Sequence, residues 1–170
     1  MAEKSKKVNY SNAWFALAIT RIGLGFVFLW AFMDKMFGFG LSTPPAGSCV
    51  AGVSPTAGFL SAAGEGSGPF AGVFSAIAGQ PWVDWLFMGA LLGVGLALIL
   101  GIGLRIAAVA GAALVILMWA ALLPVKSNPF IDDHIIYALI MIVFALSPRR
   151  VSLVNQWLAI PIVKKNPWLW

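Results

Sequence analysis

Between Asn128 and Tyr137 the chain reads Asn-Pro-Phe-Ile-Asp-Asp-His-Ile-Ile-Tyr. This stretch holds the single histidine, His134, and two of the six carboxylates, Asp132 and Asp133. Imidazole titrates close to neutral pH and can pass protons. Neighbouring carboxylates favour its charged form, whereas burial disfavours it. On a helix Tyr137 lies four residues from Asp133 and three from His134, so it can touch either. A quinone headgroup needs such a service, because its oxygens take up protons as electrons arrive. A reading without a ligand stands beside this one. Asp132 and Asp133 complement the start of a helix, and His134 hydrogen-bonds the cap.

Two cations complete the set of candidates, Arg21 and Lys35. Arg21 interrupts an apolar run, where a central arginine costs about 2.5–3.5 kcal/mol. Arg21, Phe28 and Lys35 are seven residues apart and fall near one helix face. Arg21 therefore points into the protein, toward carbonyls, a ligand or a neighbouring subunit, or it snorkels to the headgroups. Asp34 and Lys35 are placed to pair with Asp84 or with Asp132 and Asp133. Catalytic proton transfer would fall to His134, Asp133 and Asp132, and contact with a quinone or anion to Arg21, Lys35 and Tyr137. The lone Cys49 lacks an electropositive setting and reads as passive. Met88, Met118 and Met141 read as core filling. One histidine and one cysteine do not make a zinc, haem or iron–sulfur site, so no metal is expected. Walker, Rossmann and hydrolase-elbow patterns are absent from the sequence.

The elements that must position these residues follow from composition. The chain has 170 residues, 61% of them hydrophobic and only 10% charged. That is an integral membrane protein rather than a soluble globule. The net charge of +5 is not a nucleic-acid signal, because most of the basic residues sit at the ends and turns of apolar runs. The expected architecture is all-α: a four-transmembrane-helix bundle forming a single membrane domain over 1–170. Spans are expected at about 13–33, 83–103, 106–123 and 130–147. Each approaches the 20 or so residues needed to cross about 30 Å of hydrocarbon. Ser11 or Asn12 caps the first, Asn128 caps the fourth, and Pro129 takes the first helical position of the fourth. Gly89 and Gly93 form a Gly-x-x-x-Gly pair that suits close helix approach, and Ala107 and Gly111 repeat the pattern.

Residues 37–81 are rich in Gly, Ser, Ala and Pro. They read as a long outer loop cap containing one or two short helices, the second with Pro69 in its first turn. In it Phe70, Val73, Phe74 and Ile77 recur at helical spacing. The 149–170 segment reads as a cytoplasmic interfacial tail, with Val154, Trp157, Leu158 and Ile162 as its apolar stripe and Trp168 and Trp170 as anchors. The first apolar run is long enough to span and has no small-residue cleavage site after it, so no cleavable signal peptide is expected. Four spans put both termini on one side. Lys4, Lys6, Lys7, Arg105, Arg149, Arg150, Lys164 and Lys165 then share a face, which the positive-inside rule makes cytoplasmic. Only Lys35 and Lys126 lie opposite, with Asp34, Glu65, Asp84, Asp132, Asp133 and His134.

Several phrases resemble a known family. Arg21-Ile-Gly-x-Gly with Asp34-Lys35 closing the first span resembles the start of DoxX/DoxD membrane proteins. Ser54-Pro-Thr-x-Gly-Phe, Trp82-Val-Asp-Trp-Leu-Phe-Met, Gly101-Ile-x-x-Arg105-Ile-Ala-Ala and the Asn128–Tyr137 stretch resemble its actinobacterial-type members. The resemblance covers nearly the whole chain. It implies a four-helix membrane bundle related to the membrane subunit of a thiosulfate:quinone oxidoreductase, or a small partner of a respiratory membrane assembly. Two functions follow as expectations. The first is an accessory or interaction subunit of a redox complex in the cell membrane, in contact with quinone or membrane lipid and with other membrane subunits, and with no nucleic-acid partner. The second is the catalytic membrane subunit itself, oxidising thiosulfate to tetrathionate. A transporter fits less well, since paired broken helices and inverted repeats are not seen.

Overall fold

The computed structural model describes residues 11–125, 128, 130–147 and 155–170. The expected roles of Lys4, Lys6, Lys7, Lys126, Pro129, Arg149, Arg150 and Val154 lie outside those residues. Among the described residues the chain is all-helical, without strands. Helix α1 runs Ser11–Phe37, α2 Ala57–Glu65, α3 Ala71–Ile77, α4 Pro81–Leu100, α5 Leu104–Ala121 and α6 Asp133–Leu146. Two short helices follow, α7 at Asn155–Ala159 and α8 at Pro161–Lys165. Helices α1, α4 and α5 are long and apolar enough to cross a membrane. Helix α6 is apolar but has 14 residues, about 21 Å at the helical rise, short of the roughly 30 Å hydrocarbon core.

The start of α6 differs from the expected one. Asn128 does not cap it. Its side-chain oxygen accepts the amides of Phe130 (3.0 Å) and Ile131 (3.2 Å), which holds those residues outside the helix. The cap is Asp132, in extended backbone, whose carboxylate accepts from the Ile135 amide at 3.3 Å. The cap that wins is the one that reaches an orphan amide of the first helical turn.

The long helices meet in chain order, α1 on α4, α4 on α5 and α5 on α6. One core joins them, including Leu24 and Phe28 of α1, Leu91, Val94 and Leu98 of α4, Val115 of α5, and Met141 and Phe144 of α6. The α1/α4 contact is made by Gly25 and Gly95. A Cβ on Gly95 would lie 2.8 Å from the Leu29 amide nitrogen, and one on Gly25 2.9 Å from that of Ile99. At the α5/α6 contact a Cβ on Gly111 would meet Met141 Cε at 2.6 Å. The expected pair Gly89 and Gly93 does not serve this purpose, since a Cβ on either would meet nothing within 4 Å. They lie on the other side of α4 from Gly95. Spacing alone marks a small-residue face without saying what that face meets.

The 38–80 segment folds into the two expected short helices, α2 and α3, packed on each other and on the end of α5 through Leu60, Phe74 and Ala121. Pro69 stands before the α3 cap residue Phe70, not in its first turn. Between Gly38 and Gly52 the chain folds back on α1, as the amides of Cys49 and Val50 donate to the carbonyls of Lys35 (3.0 Å) and Met36 (3.1 Å). The 155–170 segment packs onto the first turn of α5. Trp157 Nε1 donates to Leu169 O, Trp170 Nε1 to Val163 O, and Arg105 Nη1 to Pro167 O. The Arg105 guanidinium lies 5.2 Å above the Trp170 ring. Trp170 is thus packed inside this segment, while Trp168 stays exposed.

Candidate functional site

The start of α6 gathers the titrating groups. Asp132 divides its carboxylate, one oxygen capping the helix and the other accepting His134 Nδ1 at 2.8 Å. Asp133 Oδ1 lies 3.5 Å from the same nitrogen. The His134 side chain is 15% exposed, that of Asp132 9% and that of Asp133 68%. Burial pushes the Asp132 carboxyl up. The His134 hydrogen bond, the Ile135 amide and the imidazolium's attraction outweigh it and hold the group below the usual aspartate range. Each of the three residues offers one ligand atom within 4.8 Å of the others, a set that could hold a cation. The positive end of the helix dipole works against one. Tyr137 does not join the cluster. Among the described residues it makes no hydrogen bond to Asp133 or His134, and its ring packs against the core.

A stability prediction follows from the shared carboxylate. Asp132→Ala should destabilise the protein by about 1 kcal/mol, the usual value of a helix cap. Asp132→Asn should retain most of that. Because the folded-state pKa is depressed, the ionic part is complete above about pH 4, the ordinary aspartate value, and disappears as pH falls through the lowered one. Thermal midpoints of wild type and Asp132→Asn in detergent, compared at neutral and acid pH, check it: the gap should close in acid.

Arg21 lies far from this cluster. It is fully buried, and its Nη1 donates to Leu98 O and, at 3.2 Å, to Ile99 O, in the last turn of α4. Of the destinations open to it in the sequence, it takes the one inside the protein, toward carbonyls. Those carbonyls have no partner within α4, and the negative end of the helix dipole favours a cation there. Lys35, fourteen residues further along α1, is about 21 Å away by the helical rise. The expected pairing of Asp34 or Lys35 with Asp84, Asp132 or Asp133 is not made. Among the described residues the ion pairs are those of His134. Asp34 is buried and accepts from Ser42 Oγ at 2.7 Å, which ties the loop after α1 to that helix.

The sequence reading missed a second carboxylate site. In the first turn of α4, Asp84 Oδ1 accepts from Ser54 Oγ at 2.8 Å and Thr56 Oγ1 at 2.6 Å. Ser54 Oγ in turn accepts the Ala57 amide at the start of α2. Thirty residues separate Ser54 from Asp84, so no local pattern announces the bond. Burial first, then the charge of Asp84, pushes the nearby Cys49 thiol up, against the opposite pull of Lys35. A raised thiol is a poor nucleophile.

The helices and their apolar outer faces define the class: an all-helical protein with three helices suited to crossing a membrane. No family model, no curated protein and no solved structure matches the chain.

Proposed function

We propose that this chain is a DoxX-like integral membrane protein in which α6 acts as the fourth span, with both termini cytoplasmic. It serves as a small accessory subunit of a respiratory or redox membrane complex, in contact with quinone or lipid. The observation that carries this reading is how the buried charges are used. Arg21 and Asp34 are fully buried and bond to the protein's own carbonyls and hydroxyl. Asp84 likewise takes two of the protein's own hydroxyls. That is the use a scaffold makes of charge. The outward faces support the membrane assignment. On α6 alone Ile136, Leu139, Ile142 and Leu146 are exposed, a surface that needs lipid or other helices to cover it. Purification of the tagged chain from native membranes in mild detergent should bring down subunits with haem absorbance. A lone homogeneous band without haem would overturn the reading.

The Asp132–His134 pair favours a second reading, the catalytic membrane subunit of a thiosulfate:quinone oxidoreductase. A carboxylate-held imidazole is suited to deliver protons to a quinone oxygen. This reading expects thiosulfate-dependent reduction of a soluble quinone analogue by the purified protein, with turnover lost in His134→Ala. No turnover with any co-purifying partner present removes it.

A further inference from the structure

A groove of about 420 Å³ runs along the outer side of α4 and α5. Gly89, Gly93 and Ala97 of α4 and Ile106 of α5 line it, together with Trp157 and Leu169 of the 155–170 segment. Its volume lies in the range of small-molecule sites. The hollow is made by absent side chains, since nothing approaches within 4 Å of a Cβ on Gly89 or Gly93. Its α4 wall runs from Gly89 to Ala97, about 12 Å along the helix. That is most of one leaflet of a roughly 30 Å hydrocarbon core.

The segment that borders the groove is basic. The 155–170 segment that supplies Trp157 and Leu169 contains no acidic residue and carries Lys164 and Lys165, both exposed. Arg105 and Trp170 fasten this segment to the first turn of α5. The lining itself is apolar, which suits a hydrocarbon chain, while the lysines suit a phosphate. A partner helix about 10 Å across would have to pass Trp157 and Leu169 to follow the groove through the bilayer. A lipid does not, because its headgroup stops at the level of that segment. A quinone head is uncharged and gains nothing from the lysines, and the Asp132–His134 pair that suits it lies at the opposite end of the helices.

We propose that the α4/α5 groove holds one acyl chain of an anionic phospholipid, with the phosphate on Lys164 and Lys165. The inference rests on the membrane location of the chain and not on any redox partner. Native mass spectrometry of the full chain in detergent tests it, with phosphatidylglycerol and phosphatidylcholine of matched acyl chains as probes. Wild type should retain one phosphatidylglycerol in preference to phosphatidylcholine. Lys164→Gln and Lys165→Gln should each reduce that preference roughly fivefold, the ratio expected per basic residue near a membrane surface. Gly93→Phe puts a ring into the groove from a position where a Cβ meets nothing within 4 Å, and should abolish retention of both lipids at an unchanged helical spectrum. Equal retention of the two lipids by wild type overturns the proposal, as does unchanged retention in Gly93→Phe. Should Gly93→Phe instead release a co-purifying membrane protein while lipid retention persists, the groove is a helix-docking face and the lipid assignment falls. Haem absorbance in the purified complex reads the accessory-subunit proposal separately.

Discussion

Arg21→Ala should destabilise the protein by at least about 1.5 kcal/mol, the lower bound left by opposing terms. Holding a guanidinium in the hydrocarbon region costs about 2.5–3.5 kcal/mol. Against this stand two charge-assisted bonds to Leu98 O and Ile99 O, each worth roughly 1.5–3 kcal/mol. The interaction with the end of the α4 dipole adds up to about 2 kcal/mol in a buried setting. The alanine variant escapes the burial cost. It leaves two helix-terminal carbonyls without this donor and a cavity where a large side chain was, and a cavity of that kind alone costs about 2–5 kcal/mol. Arg21→Lys should recover part of the loss, since it keeps the charge but replaces a planar fork with a point donor. Arg21→Met should recover less, because it fills space and donates nothing. Thermal midpoints in detergent rank the variants. If Arg21 instead served a headgroup or ligand, Arg21→Ala would leave the midpoint of the purified, ligand-free protein unchanged, and that result would sink the clamp.

The neighbourhood of this clamp marks how much was legible beforehand. Helices α1, α4 and α5 were readable because long apolar runs end at breakers, glycine for α1 and α4 and Pro124 soon after α5. Gly38 and Gly101 supply the left-handed backbone (φ 67° and 74°) that stops α1 and α4. The helices α2 and α3 were readable from apolar spacing within a Gly- and Ser-rich stretch. The three helices long and apolar enough to cross a membrane leave a long local signature, since a helix suited to lipid must satisfy every backbone group within itself. What failed was the choice between equivalent local patterns. Asn128 and Asp132 both look like caps, and only the extended backbone of Asp132, with Phe130 and Ile131 left outside the helix, decides for Asp132. Gly89, Gly93 and Gly95 share one helix, and only the packing of α1 selects Gly95. The destinations of Arg21 and Asp84 are 77 and 30 residues distant in sequence. Among the candidate site residues, the Asp132–His134 contact was legible because it is local. The separation of Arg21 from that cluster was not.

Gly95→Leu should abolish the folded state, whereas Gly93→Leu should change stability by no more than about 0.5 kcal/mol. The two positions are two residues apart and so face nearly opposite directions on α4. At Gly95 the first added carbon would lie 2.8 Å from the Leu29 nitrogen and 3.1 Å from the Gly25 oxygen. These are backbone atoms of a helix and cannot rotate away. Overpacking usually costs about 1–3 kcal/mol when side chains can adjust; here α1 must move off α4 instead. Within a bilayer, apolar surface gains little by leaving lipid for protein, so close van der Waals contact holds such helices together. Separating them also withdraws Arg21, one turn before Gly25 on α1, from the end of α4. The loss at Gly95 therefore includes the clamp. Even the milder Gly95→Ala, combined with Arg21→Ala, should cost less than the sum of the single effects, as expected for positions sharing one contact. Protease resistance and thermal midpoints of wild type, the two alanine variants and their combination measure this, and strict additivity would show that the glycine contact and the arginine clamp act independently.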